Sequence, residues 1–182
     1  MPSATPADLS PLPTAEAPRD CPLCPRLVAF RHENQRTFPE WFNGPVPNWG
    51  DAAPRLVIVG LAPGLRGANR TGRPFTGDGA GWILYETLIK TGFARGEYGA
   101  DPADGLELVD CMITNAVRCA PPGNKPLPVE ETTCRPFLTA RLSALPRLKV
   151  IVTLGDVSRR NVLKAMGLSG SAAPPGHATI PQ

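Results

Sequence analysis

The sequence predicts an α/β domain built on a central parallel sheet. Two short runs of apolar, β-branched residues, 55–60 and 149–155, each end at a glycine, which is typical of strands buried on both faces. Helical patterns follow both runs, and such alternation favours a parallel sheet with right-handed crossovers. The chain has 182 residues, of which 42% are hydrophobic, so it can bury one ordinary core.

The elements follow one another in a regular order. The predicted strands are 55–60, 108–117 and 149–155, and the predicted helices are 79–90, 129–145 and 156–166. Asp78 is a favourable N-cap residue for the first helix, and Gly167 is a stop signal for the last. Pro136 lies inside the second helix, which is therefore expected to bend or to begin afresh there.

The flanking segments do not share this pattern. Residues 1–20 are rich in proline and small polar residues without apolar periodicity, which predicts a disordered tail. The globular domain is then expected to span residues 21–182. Within it, residues 21–54 are interpreted as irregular structure, and residues 169–182 show no periodicity.

Composition also limits the classes of protein to which the chain can belong. No stretch approaches the roughly 20 apolar residues of a membrane span, and the first 20 residues lack the basic start and apolar core of a secretory signal. We therefore expect a cytoplasmic protein with no membrane association. The net charge of +3, from 19 Lys and Arg against 16 Asp and Glu, permits nucleic-acid binding without requiring it.

Five cysteines in a chain of this kind favour metal binding over disulfides. Cys21 and Cys24 form a C-x2-C pair, whose spacing lets two thiolates reach one metal site. Cys119 and Cys134 are separated singles that complete a set of four thiolates. Such a set suits either a tetrahedral zinc ion or a [4Fe–4S] cluster, and spacing does not choose between them. Cys111 lies in a predicted strand and is interpreted as a core residue.

The loop after the first strand, 60–78, is rich in glycine and carries three arginines. It contains neither the Gly-Lys-Ser/Thr of a phosphate loop nor the G-x-G-x-x-G of a dinucleotide site. Its backbone amides and arginines suit phosphate groups, and Phe75 suits stacking on a base. Asp78, at the end of the loop, is either a helix cap or a functional carboxylate.

A second loop, 114–126, lies at the end of the second predicted strand and is rich in proline and asparagine. Asn115 lies near the end of that strand, where its amide can offer a donor and an acceptor to a base edge. Asn124 lies in Gly-Asn-Lys-Pro, a sequence that is also typical of a turn.

These motifs together resemble the family 5 uracil-DNA glycosylases, which are iron–sulfur members of the uracil-DNA glycosylase superfamily. The resemblance covers about residues 21–166. The segments that carry it are GLAPG (60–64), GANRTGRPFTGD (67–78) and TNAVRCAPPGNKP (114–126), together with a cysteine fifteen positions after Cys119. Family 4 proteins are the nearest alternative, but they usually carry Glu where this chain has Ala62 and lack an equivalent of Asp78.

The resemblance implies a three-layer αβα fold and a glycosylase that flips uracil, and other deaminated bases, out of DNA. It implies that Asp78 is the catalytic carboxylate, assisted by Asn124, that Phe75 stacks on the extruded base and that Asn115 reads its edge. The remaining implied substrate-binding residues are Gly60, Ala62, Pro63 and Gly64. The implied ligands of a [4Fe–4S] cluster are Cys21, Cys24, Cys119 and Cys134.

Members of that family continue into a further C-terminal strand and a His-Pro-Ser loop that enters the DNA. Here His177 lies in Gly-His-Ala-Thr, so the family's histidine is not assigned to it. The expectation is a truncated chain whose sheet lacks its C-terminal strand, acting as a monomer on DNA. The alternatives are an inactive fragment, a non-catalytic nucleic-acid-binding domain with a metal cluster, and a zinc-stabilised domain that binds a phosphate ligand.

Overall fold

The structure, a computed structural model, describes residues 15–168. Its strands are β1 (Trp49–Gly50), β2 (Leu56–Gly60), β3 (Ala94–Arg95), β4 (Glu107–Leu108), β5 (Cys111–Asn115) and β6 (Val150–Thr153). Its helices are α1 (Pro25–Thr37), α2 (Ala68–Thr71), α3 (Gly79–Lys90), α4 (Pro128–Ser143) and α5 (Asp156–Ala165), with a 3-10 turn at Pro122–Asn124.

The central sheet has the strand order β1-β5-β2-β6. Strands β5, β2 and β6 are parallel, while β1 pairs antiparallel with β5 at one edge. In the parallel register Gly60, the last residue of β2, lies opposite Asn115, the last residue of β5. The predicted central parallel sheet is therefore confirmed, and the carboxyl ends of its two middle strands lie side by side.

The side chains of β2 show why helices cover both faces. Every residue of β2 is buried. Leu56 and Ile58 pack into a core with α3, whereas Val57 and Val59 pack into a second core with α4 and α5. Since successive strand residues point to opposite faces, this division places α3 on one side of the sheet and α4 with α5 on the other. The three-layer αβα architecture is thus confirmed.

The second predicted strand, 108–117, is wrong in its extent. Strand β5 covers Cys111–Asn115, while β4 pairs with β3 in a separate two-stranded sheet. Asp110 lies between β4 and β5 with φ +52°, a left-handed conformation that redirects the chain. Apolar residues lie on both sides of Asp110, so the apolar pattern did not reveal the break.

One prediction about helices is also wrong. Residues 21–54 are not irregular throughout, because they contain α1, a helix of 13 residues. Its sequence is mostly polar, and its buried residues include Arg31 and Asn34 as well as Leu27, so it lacks an apolar stripe. Helix α4 runs as one element from Pro128 to Ser143 and does not end at Pro136.

The predicted tail of residues 1–20 extends too far, because residues 15–20 contact the domain. Glu16 forms ion pairs with Arg118 and Arg141, and Arg19 donates to the carbonyl of Phe42. Residues 1–14 and 169–182 lie outside the described residues, and with them His177 and the expected loss of a C-terminal strand. Within residues 15–168, no helix is long and apolar enough to cross a membrane.

Candidate active site and candidate metal centre

A small pocket opens where the loops after β2 and β5 meet the start of α3. Its lining residues are Ala62, Pro63, Gly64, Ala68, Phe75, Asp78, Ala80 and Asn115. It is called the Asp78 pocket below. It lies at the carboxyl ends of adjacent parallel strands, which is where open α/β sheets bind their ligands. The structure thus brings together six residues of the two loops that the sequence singled out, along with two alanines that it did not.

The floor of the Asp78 pocket depends on Gly60. Asn115 is buried, and the parallel register sets it opposite Gly60. A Cβ atom on Gly60 would overlap Asn115 Oδ1 and would lie 2.7 Å from Cζ of Phe75. The absence of a side chain at Gly60 therefore lets the Asn115 amide and the Phe75 ring meet in one place.

Phe75 has an unusual backbone. Its φ is +51°, in the left-handed region that bulky residues rarely occupy. Such a conformation costs of order 1–3 kcal/mol and persists only where the surroundings impose it. The half-buried ring is thereby turned toward Gly60 and the pocket.

Asp78 occupies the N-cap position of α3 but does not cap the helix with its side chain. Its Oδ2 atom lies against the first loop, where a Cβ atom on Gly67 would overlap it and a Cβ on Gly64 would lie 3.2 Å away. Its Oδ1 atom is buried and has no hydrogen-bond partner among residues 15–168. The side chain therefore lines the pocket without capping α3, and the capping interpretation is wrong.

The three arginines of the first loop have different environments. Arg66 and Arg70 are exposed, and Arg70 Nε donates to the carbonyl of Arg66 at 2.9 Å. The Arg70 guanidinium extends next to Gly77, on the rim of the loop. Arg73, by contrast, is buried and forms a bidentate ion pair with Asp104. Two of the three arginines can meet a phosphate, and the third cannot.

Asn124 is not part of the Asp78 pocket. It lies in the exposed 3-10 turn with φ +56°, and its backbone N–H donates to Pro121. Asn and Gly are the residues that such turns tolerate best. The catalytic role assigned to Asn124 therefore stays a prediction, and the geometry of this structure adds nothing to it.

A second pocket, called the cysteine pocket below, contains four thiols. Its cysteines are Cys21, Cys24, Cys119 and Cys134. Leu27, Val117 and Phe137 supply apolar walls. The cysteines come from the segment before α1, from the second loop and from α4, and the structure brings together all four that the sequence selected.

Hydrogen-bond donors surround these sulfurs. The backbone N–H of Arg118 donates to Cys134 Sγ at 3.3 Å, and Arg31 Nη1 lies 3.8 Å from Cys119 Sγ. Cys24 is the N-cap residue of α1, at the positive end of the helix dipole. Donors and partial positive charge of this kind favour thiolates and are typical of the surroundings of metal-bound sulfur.

Without a cation, burial favours the protonated forms of three of these thiols, Cys24, Cys119 and Cys134. Burial, followed by repulsion from neighbouring thiolates, raises the pKa of Cys24 and of Cys119 to about 12 each. The pKa of Cys134 is raised as well, again chiefly by burial. Four thiols that repel one another when ionised require a positively charged group between them, so the donor set fits a metal-containing cofactor.

Within residues 15–168, no three Cys, His, Asp or Glu side chains converge closely enough to hold a single metal ion. Cys111 is fully buried in the core beside α3, apart from the four, as the sequence indicated.

Sequence reasoning missed the residues that hold the first loop in place. Arg73, Asp104, Tyr85 and Tyr98 all contact the segment around Phe75. Asp104 and Tyr98 lie in a stretch that the sequence left without any assignment. No local pattern marks them, because their partners are 11 to 31 positions away in the chain.

Comparisons with known proteins agree with this geometry. The model of the uracil DNA glycosylase superfamily matches residues 47–179. The chain therefore belongs to the uracil DNA glycosylase superfamily. Since the matched segment includes the loops after β2 and β5, the Asp78 pocket falls within the region that defines the superfamily.

Within the superfamily, the chain groups with the type-5 proteins. It is 44% identical over 168 residues to the type-5 uracil-DNA glycosylase of Mycobacterium tuberculosis, covering 88% of this chain and 63% of that protein. It is 45% identical over 163 residues to the type-5 enzyme of Thermus thermophilus, covering 86% and 74%. A type-4 uracil-DNA glycosylase from Pyrobaculum aerophilum is 35% identical over 123 residues, covering 67% and 55%.

These figures confirm the assignment to family 5 over family 4. They also show that the chain spans about 63% of the length of the mycobacterial relative. Family membership is thus established for the matched region, and the activity of this chain is argued below from its own residues.

Proposed function

We propose that this protein removes uracil from DNA by hydrolysing the bond between the base and the deoxyribose. The observation that carries the proposal is the placement of Asp78. Its carboxylate makes no hydrogen bond that caps α3. It lines a pocket that also holds an aromatic ring, Phe75, and a buried amide, Asn115. A glycosylase that flips a base out of the helix needs these three chemical groups in one place.

Asp78 supports the bond-breaking step. As the C1′–N1 bond breaks, its electron pair leaves with the base and positive charge develops on the sugar. A water molecule then bonds to C1′ and loses a proton, and the departing uracil takes one up. The carboxylate of Asp78, which lines the pocket and does not cap α3, stabilises the sugar cation and orients that water.

Phe75 and Asn115 support binding of the flipped base. The Phe75 ring offers a stacking surface, and the Asn115 amide offers one donor and one acceptor to the uracil edge. A donor aimed at the developing base anion is worth about 3–4 kcal/mol where such groups have been removed in enzymes.

DNA is the proposed partner, and its backbone is expected to meet Arg66 and Arg70, the exposed arginines of the first loop. Because such contacts release counterions, uracil release at low DNA concentration should slow as salt rises. An enzyme that acts on chromosomal DNA works inside the cell.

We also propose that Cys21, Cys24, Cys119 and Cys134 hold a [4Fe–4S] cluster. The cluster would tie the segment before α1 to the second loop and α4, a structural contribution. Support comes from four thiols around one pocket and from the donors at their sulfurs. Equal amounts of iron and sulfide with a brown colour are expected, whereas zinc without iron would overturn the proposal.

The proposed activity is tested with the purified full chain and a duplex that carries one uracil. The expected result is free uracil and an abasic site that alkali cleaves. Asp78→Asn should slow the release at least 100-fold. Glu86→Gln is the matched control, because Glu86 is exposed on α3, its ion-pair partner Lys90 is exposed as well, and the rate should be unchanged.

The outcomes separate the alternatives. Salt-sensitive DNA binding by the unaltered protein, without any base release, would favour a non-catalytic DNA-binding domain and overturn the proposed activity. Uracil release that survives Asp78→Asn unchanged would keep the activity and overturn the role of Asp78.

A further inference from the structure

Arg73 is an arginine of the first loop that is withdrawn from solvent. Its guanidinium forms two hydrogen bonds with the carboxylate of Asp104, at 2.7 and 2.8 Å, and both side chains are almost fully buried. Its Nε donates to Thr76 Oγ1 at 2.7 Å. The guanidinium also lies 4.9 Å from the ring centroid of Trp49. Each of its three nitrogen atoms therefore donates at least one hydrogen bond within the protein.

Asp104 belongs to a different part of the chain and is itself fixed. It accepts backbone N–H groups from Gly99 at 2.9 Å and from Leu106 at 3.0 Å, in addition to Arg73. The contact thus ties the segment before β4 to the loop that forms the Asp78 pocket. Since a bidentate arginine–carboxylate pair has a defined geometry, it sets the direction of the chain at Arg73.

Two tyrosine hydroxyls hold the next carbonyls of the loop. Tyr85 donates to the carbonyl of Pro74, and Tyr98 donates to the carbonyl of Phe75 at 3.0 Å. The N–H of Gly77 lies 3.4 Å from the Tyr98 hydroxyl. The peptide groups on both sides of Phe75 are therefore fixed by side chains that lie outside the loop.

The first turn of α3 leaves room for the Tyr98 contact. A Cβ atom on Gly81 would overlap both the carbonyl oxygen of Phe75 and the hydroxyl of Tyr98. The Trp82 ring packs edge-on against Tyr98, with 4.9 Å between ring centroids. The absence of a side chain at Gly81 therefore lets the Tyr98 hydroxyl reach the Phe75 carbonyl, and Trp82 packs against the Tyr98 ring.

We propose that Arg73, Asp104 and Tyr98 are positioning residues of the Asp78 pocket. They hold Phe75 in its left-handed conformation, so that its ring lies over Gly60 beside Asn115, and they act on the reaction through that ring. The kinetic consequence of this inference rests on the proposed function. The structural claim, that these three residues set the orientation of the Phe75 ring, does not depend on the proposed function.

The kinetic test is a double-mutant cycle between Tyr98→Phe and Phe75→Ala, measured on uracil-containing duplex. Stacking is present in both the bound complex and the transition state, so its loss raises KM and leaves kcat within about threefold. Tyr98→Phe removes one hydrogen bond and should raise KM about three- to tenfold. In the Phe75→Ala background the same change should alter KM less than twofold, since no ring remains to be positioned.

Arg73→Lys should raise KM about tenfold or more, because lysine cannot reproduce the bidentate geometry. Arg95→Lys is the matched control: Arg95 also pairs with a carboxylate, that of Glu107 across β3 and β4, but both side chains are exposed. It should leave KM unchanged. Equal effects of Tyr98→Phe in both Phe75 backgrounds, or no effect in either, would overturn the proposal.

A spectroscopic test needs no activity. The protein is grown with 4-fluorophenylalanine, and the 19F resonance of Phe75 is identified by its absence in Phe75→Leu. Arg73→Lys should shift or broaden this resonance, and Arg95→Lys should not. An unchanged resonance in Arg73→Lys overturns the positioning role. A protein that releases no uracil but shows the expected shift would overturn the proposed function alone.

Discussion

The cysteine pocket and the Asp78 pocket are built in opposite ways. The cysteine pocket joins distant parts of the chain, from Cys21 to Cys134, through thiols set among apolar walls. The Asp78 pocket uses two loops that follow adjacent parallel strands, and polar contacts and close approaches to glycine hold it. The cysteine pocket gathers distant segments that the proposed cluster would cross-link, whereas the Asp78 pocket is a cavity at the ends of adjacent strands.

This difference teaches which kind of change each pocket tolerates. If the four cysteines hold the proposed cluster, a change at one of them removes a connection between segments and should lower the free energy of unfolding. A change beside Asp78 should leave the fold intact and lower the rate of uracil release. The predictions below test that separation, beginning with the largest effect.

Cys134→Ser is expected to have the largest effect. Cys134 is buried among apolar residues, where a hydroxyl is a poor substitute for a thiolate ligand. Iron content should fall to near zero, and the free energy of unfolding should drop by several kcal/mol, because the free energy of binding the cluster contributes to folding. Iron analysis and thermal unfolding by circular dichroism measure both effects. A variant that keeps its iron would contradict the assignment of Cys134.

Gly67→Ala is expected to act on activity and not on iron content. The added Cβ would overlap Asp78 Oδ2 and must push the carboxylate aside. A displacement of about 1 Å at a reacting group can cost about 100-fold in rate, so uracil release should fall by that order. The control is Gly79→Ala, since a Cβ at Gly79 meets no atom within 4 Å. Equal rates for the two variants would show that Gly67 does not set the position of Asp78.

Acid is expected to weaken the support of the Asp78 pocket through Asp104. Hydrogen bonding by Arg73 holds the pKa of Asp104 well below its usual value. A group whose pKa is lowered by folding stabilises the native state above its unfolded pKa, near 4, and loses that contribution as the pH falls further. The difference in unfolding free energy between the unaltered protein and Asp104→Asn should therefore shrink from pH 6 to pH 3. Urea unfolding at each pH measures it, and a constant difference would contradict this.

Cys111→Ala is expected to have the smallest effect. Cys111 is buried in the core beside α3 and belongs to neither pocket. Removing its sulfur should lower the free energy of unfolding by about 1 kcal/mol, as for other small deletions in a core. Iron content and the rate of uracil release should both be unchanged, and a loss of iron would mean that the cluster has a different set of ligands.

Much of the fold was predictable because its signals are local. Strand β2 is a continuous apolar run, and α3 begins directly after Asp78, so both were located to within a residue. Helix α1 was missed because its face toward the domain is partly polar: Arg31 bonds to the carbonyl of Cys21, and Asn34 to the carbonyl of Phe30. The break at Asp110 was missed because apolar residues continue on both sides of it.

The candidate site divides in the same way. The four cysteines and the residues of the two loops could be selected from their types and spacing. The burial of Arg73 could not, because an arginine in a glycine-rich loop is usually solvated and its partner Asp104 is 31 positions away. Nor could the sequence decide whether Asp78 caps α3, since the same residue type at the same position serves either role.

By itself, the sequence determined the α/β class, the family and the set of residue types available for chemistry, because repeated patterns and motifs record these along the chain. Only the tertiary structure decided that Asp78 faces a pocket, that Arg73 supports the loop instead of meeting a phosphate, and that four cysteines surround one space. These facts depend on contacts between segments that are far apart in the chain. Such contacts follow from how the strands pair and how the helices pack on them, which no local pattern encodes.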